Sequence, residues 1–167
     1  MQGKALHGKV MQLVHIREYQ PGDWPRLQAI HDKARRCELV LAGLETAFLP
    51  LDIAARREGL FDNKIFVACS EQNPVGFTAC TKDEIAWLYV DPDIQRRGIG
   101  RQLVLFALEY LSDSPEITVE VLVGNTPARR LYEACGFQFY ERLSGVMPGN
   151  ERFHVTVDVL KAVRRSA

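Results

Sequence analysis

From Ile85 to Val90 the chain is almost continuously apolar, rich in aromatic and β-branched residues, the pattern of a strand covered on both faces. Asp91-Pro92-Asp93 ends it, because proline has no N–H to give a sheet ladder. From Gly98 the period changes. Ile99, Leu103, Phe106, Ala107 and Tyr110 recur at helical spacing, and Val104, Leu108 and Leu111 widen the apolar face. Upstream, Val14–Tyr19 alternates as a first strand ended by Gln20-Pro21-Gly22. Trp24, Leu27, Ile30, Ala34 and Cys37 then mark an amphipathic helix with Asp23 as its N-cap, which puts His31, Arg35 and Arg36 on the wet side. Leu39–Leu60 has the least legible pattern. A short helix is predicted over Ile53–Leu60, stopped near Gly59.

Ile65–Cys69 and Val75–Thr81 predict a hairpin over Glu71-Gln72-Asn73-Pro74, followed antiparallel by Ile85–Val90. The helix after Gly98 returns the chain to the sheet, so Ile117–Val123 is expected to run parallel to Ile85–Val90. A further helix begins at Asn125 or Thr126, with Pro127 in its first turn and Gly136 at its stop. Gln138–Ser144 and Arg152–Val159 flank Pro148-Gly149-Asn150 as a closing hairpin. There Phe153, Val155 and Val157 alternate with His154, Thr156 and Asp158, one set facing the core and the other solvent or a cleft.

At 167 residues the chain suits one domain, 14–160, with a lead-in at 1–13 and a basic tail at 161–167. Lys+Arg and Asp+Glu are both 21, which argues against a nucleic-acid partner held by a broad basic face. Cys37, Cys69, Cys80 and Cys135 are widely spaced and form no metal-ligand pattern, so no metal is expected and buried free thiols in a reducing cytoplasm are. No stretch resembles a signal peptide or a membrane span.

The chemistry concentrates in Gln95-Arg96-Arg97-Gly98-Ile99-Gly100, with Arg101 beside it. A helix start leaves N–H groups without partners, its dipole favours an anion, and glycines let a phosphate reach the backbone. A dinucleotide fingerprint would need glycine where Leu103 stands, and no Gly-Lys-Ser/Thr phosphate loop occurs. On the glycines alone, a turn that binds nothing stays open, as does a nucleotide or NAD site. The string Gln95-x-x-Gly98-x-Gly100 after the Val90-Asp91-Pro92 exit resembles the acetyl-CoA-binding motif of the GCN5-related N-acetyltransferases. Asn125, Ala128, Leu131, Tyr132, Glu133, Gly136 and Phe137 are similar to that family's second signature, in order and spacing.

The resemblance implies an α/β (α+β) fold: a mixed, mostly antiparallel sheet of six to seven strands, about four flanking helices and splayed central parallel strands. It implies acetyl-CoA as co-substrate, gripped by Gln95, Arg96, Arg97, Gly98, Ile99, Gly100 and Arg101, with Leu88, Tyr89, Val90 and Asn125 along its arm. The acceptor would be a small-molecule amine or a protein or peptide amino group, with no membrane partner and a monomeric or homodimeric enzyme. Tyr132 stands where the family has its acid; by spacing alone it could equally be a core tyrosine. For the base, Glu120 precedes Tyr132 by the spacing seen in enzymes acting on ribosomal-protein N-termini, and burial in a strand should raise its pKa. Glu84 is its rival. A non-catalytic CoA-binding regulatory module on the same fold is the alternative function.

Overall fold

In the computed structural model, which describes residues 11–163, the apolar run becomes the last strand of a four-stranded antiparallel sheet. Its order is β1 (His15–Glu18), β2 (Lys64–Ser70), β3 (Asn73–Cys80) and β4 (Ile85–Val90). Helix α1 (Trp24–Leu41) and α2 (Leu51–Arg57) pack Leu27, Ile30, Leu51 and Ala54 against one face of it. Helix α3 (Ile99–Tyr110) covers the other face with Ile99 and Leu103. Leu27 and Leu103 are completely buried, and burying such a side chain contributes about 1.5–3 kcal/mol. Gly76 makes the α3 contact possible: a Cβ there would stand 2.9 Å from the Tyr89 carbonyl oxygen and 3.1 Å from Leu103 Cδ1.

A second sheet follows. Strand β5 (Glu116–Leu122) leads into α4 (Thr126–Ala134), and β6 (Gln138–Met147) and β7 (Asn150–Val163) complete the order β5-β7-β6, all antiparallel. The fold class is as expected, with seven strands and four α-helices among the described residues. The parallel pair between β4 and β5 is reduced to a single bridge between Glu84 and Thr118, beside which Thr118 N–H donates to Asp83 O at 2.9 Å. Beyond that point the strands part. The cause is legible in the register: Ala79 faces Trp87 while Cys80 faces Ile85, so β4 carries one extra residue, Ala86. A bulge bends its strand and shifts the side-chain alternation by one. Ile85 therefore lies on the α3 side with Val104 and Leu111, whereas Trp87 joins Leu27 and Ile30 on the α1 side.

Several boundaries differ from expectation. The β2–β3 turn is only Glu71-Gln72, with Glu71 at φ 56, and Asn73-Pro74 belong to β3. Asp23 does not cap α1 through its side chain; the carboxylate accepts from Gln20 N–H and pairs with Arg17 at 2.8 Å. Helix α2 starts at Leu51, directly after Pro50, and Gly59 takes a left-handed φ of 66 beyond its end. The closing hairpin is longer than its alternation suggests, and β7 takes in Lys161–Val163, where Lys161 pairs with Glu116 at 2.7 Å. The expectations for residues 1–10 and 164–167 lie outside the described residues. No helix among the described residues is long and apolar enough to cross a membrane.

Candidate functional site

Where β4 and β5 diverge, a cleft of about 1080 Å³ opens, lined by Glu84–Val90, Glu120–Leu122, the Gln95–Arg101 turn, α1 and the start of α4. Past Glu84 the outer edge of β4 has no strand beside it, so its outward N–H and C=O groups face the gap. Leu88, Tyr89 and Val90 line that edge. Arg26 of α1 pairs with Asp91, whose carboxylate also accepts from Asp93 N–H at 3.0 Å, and this fixes the strand exit.

At the mouth, Gly98 is left-handed at φ 79, and Arg96 adopts a φ of 64 that a non-glycine residue rarely takes. The backbone N–H groups from Gln95 to Arg101 find no acceptor among the described residues; the first to do so is Gln102, onto Gly98 O at 3.1 Å. They form a row of free donors at the positive end of α3. A Cβ on Gly100 would stand 3.0 Å from Leu131 Cδ2, so glycine also lets α4 close on α3. Gln95, Arg96, Arg97 and Arg101 expose their side chains around this row. Residues before β1 lie against it: Gln12 N–H donates to Arg97 O at 3.1 Å and Met11 packs over Gly98. Asn125 uses its side-chain oxygen to cap α4 at Ala128 N–H (3.3 Å) and lines the same cleft.

Tyr132 is 6% exposed, stands edge-on to Phe137 at 5.5 Å between ring centres, and lines the cleft. Its phenol has no hydrogen-bond partner among the described residues. Burial first, then the Glu38 carboxylate, pushes its pKa well above 10, so it holds its proton at neutral pH. The two candidate bases stand together but not as expected. Glu120 is exposed on β5 rather than buried, because alternation turns Val119 and Val121 inward and Glu120 out. Glu84, half-buried at the vertex of the parted strands, carries the raised pKa, from burial first and then from Glu120 and Asp83. Both line the cleft.

The other side of the cleft holds residues that the sequence left on the wet face of α1. His31 is 1% exposed, with Nδ1 2.9 Å from Asp32 Oδ1 and its ring edge-on to Tyr89 at 4.8 Å; burial lowers its pKa and keeps it neutral. Arg35 pairs with Glu38 at 2.9 Å, and although burial opposes its charge, Tyr89, Glu38 and Glu58 hold its pKa above the ordinary value. Tyr89 is raised well above 10 by burial. Glu58, one residue past α2, is pushed up to about 7, by burial against the pull of Arg35. His31, Arg35 and Glu38 recur at three- and four-residue steps, a polar stripe that was the one available signal. Glu58 had none.

Known proteins agree with this architecture. The acetyltransferase (GNAT) family profile matches residues 24–137. The Escherichia coli (strain K12) uncharacterized N-acetyltransferase YafP is 30% identical over 131 residues, covering 77% of this chain and 83% of that protein. The peptidyl-lysine N-acetyltransferase YjaB of Salmonella typhimurium is 34% identical over 120 residues, covering 69% and 72%. A GCN5-related N-acetyltransferase structure from Rhodopseudomonas palustris (aminotransferase, class-II) superimposes with a TM-score of 0.73 at 21% identity, over 93% of this chain and 98% of that one, and so shares the fold. The chain belongs to the GNAT acetyltransferase family, and it is an enzyme of the acyltransferase class.

Proposed function

We propose that this enzyme moves an acetyl group from acetyl-CoA directly onto a primary amine while both are bound. The observation that carries this is the parting of β4 from β5 after the Glu84–Thr118 bridge, with the free N–H row of Gln95–Arg101 at its mouth. The row fits a diphosphate, and the unpaired edge at Leu88–Val90 fits an amide-bearing arm added as a strand would be. Asn125 flanks that arm. One cleft reaches both faces of the sheet, which supports a ternary complex without an acyl-enzyme.

The co-substrate supplies an activated acetyl group as a thioester. Glu120, in water and beside Glu84, takes the ammonium's proton so that the nitrogen lone pair can form the new C–N bond. The C–S bond breaks, and Tyr132 gives its proton to the departing sulfur. A thiol titrates near 8.5 and a phenol near 10, so this transfer is uphill in water. Burial raises Tyr132 further, so the transfer requires the same dry cleft to raise the departing thiol as well, and Tyr132 then recovers its proton from solvent. Free cysteines support a reducing, cytoplasmic setting.

Incubation with acetyl-CoA and a panel of primary amines tests this by following thiol release and the acetylated amine together. Release that needs the amine, with intersecting double-reciprocal plots, is expected. Parallel plots would show an acyl-enzyme instead, and failure to bind CoA would remove the proposal altogether.

A further inference from the structure

Glu58 is out of place as a structural residue. It lies inside the cleft, half-buried, against the β6–β7 turn, where a Cβ on Gly149 would stand 2.9 Å from its Cγ. Among the described residues it makes no ion pair. Arg35, the cation whose charge reaches it, is already engaged by Glu38. From β7 the carboxylate of Glu151 adds more negative charge, and from β4 and α1 the facing groups Tyr89 and His31 are neutral. Arg57 is turned away to the Gly149 carbonyl at 3.0 Å. The balance at this end of the cleft is an excess of negative charge over Arg35. A carboxylate taken out of water without a partner is costly, and a cation seated there would remove the cost. The Tyr132 phenol, without a hydrogen-bond partner among the described residues, lines the same cavity.

We infer that the acceptor is a small diamine, presenting one amino group to Tyr132 for acetylation while its second, protonated amino group rests against the Glu58 carboxylate. This rests on the acetyl transfer proposed above and names the acceptor class for it. The size limit comes from the roof. Asn150 Nδ2 donates to Ala47 O at 3.1 Å and Arg57 to Gly149 O, tying the β6–β7 turn down over α2. A short flexible cation fits beneath such a roof better than an extended peptide. The apolar wall of Leu122, Met147 and Val155 suits the methylenes between the two charges.

The test compares α,ω-diamines from ethylenediamine to cadaverine with the monoamine and the ω-amino acid of equal length, and with a short lysine peptide. One diamine length should have a KM lower than its monoamine by roughly ten-fold, the scale of one well-placed charge pair in a half-buried site. Glu58→Gln should abolish that preference, raising the diamine's KM to that of the monoamine, with the affinity for CoA unchanged. Because burial pushes Glu58 up to about 7, the KM of the longer diamines should fall more steeply than the monoamine's as pH rises through that value. Glu58→Lys gives an independent arm: preference should pass to the ω-amino acid. Equal KM values for diamine and monoamine, a peptide preferred to every diamine, or a preference that survives Glu58→Gln would each overturn the inference and leave acetyl transfer standing. If no amine is acetylated although CoA binds, the transfer reading itself falls.

Discussion

The two sides of the cleft are built from different materials. On the proposed donor side the groups on offer are the backbone N–H groups between Gln95 and Arg101 and the bare edge of β4. On the proposed acceptor side they are side chains, His31, Arg35, Glu38, Glu58 and Tyr89, brought together from α1, the loop after α2, and β4. A backbone site needs glycine at fixed positions within one short stretch, so its geometry is written locally. A side-chain site can be assembled from any elements that converge, and it leaves almost no local trace.

The comparison predicts how each side fails. Tyr132, which stands between them, should give the largest effect: Tyr132→Phe is expected to lower kcat by on the order of a hundred-fold or more, the usual weight of a proton donor, with CoA affinity unchanged in calorimetry. An equal loss in kcat and in CoA affinity would assign Tyr132 to packing. Gly98→Val, at φ 79 and facing Met11, should weaken CoA by roughly ten-fold or more through strain in the donor row, with little change in the KM of the amine.

Glu58→Gln should act on stability as well as on specificity. The carboxyl moves from its ordinary 4.5 to about 7 on folding, so the folded chain holds a proton that the unfolded chain has released. That contribution is complete below about 4.5 and is lost as pH rises through 7. The variant's melting temperature should therefore fall less than the wild type's over this interval, and a wild-type curve that stays flat would contradict it. The smallest effect concerns Asp158, buried between Arg142 and Arg129 at 2.7 Å each. The hydrogen bond from Arg142 first, and then the nearby charges, lower its pKa against burial, so its contribution is present above the ordinary carboxylate range and is lost as pH falls through the folded value. Asp158→Asn should make the acid limb of the melting curve shallower by a few degrees.

What the sequence made legible follows the same division. The strand at Ile85–Val90, the helix from Ile99 and the glycine turn between them are local patterns, and all three are present. His31 was misplaced because the cleft, rather than solvent, lies over its face of α1, and a polar stripe reads the same against either. Glu120 reads as buried because β5 is apolar on average, although alternation turns its side chain outward. The length of β6 and β7 was hidden because β6 is exposed along nearly its whole course, so apolar alternation does not mark its end. Glu58 owes its setting to the β6–β7 turn, far away along the chain, and no periodicity carries that information.

Ala86 has a consequence for how such a protein can change. A single surplus residue puts Ile85 in the same compartment as Leu88 while Trp87 and Tyr89 occupy the other, so one ribbon furnishes two rooms with separate walls. Furniture in the amine's room can be exchanged over generations without disturbing the coenzyme's. Deleting that alanine would turn Ile85 to the face that holds Trp87 and take it from the wall it shares with Val104 and Leu111.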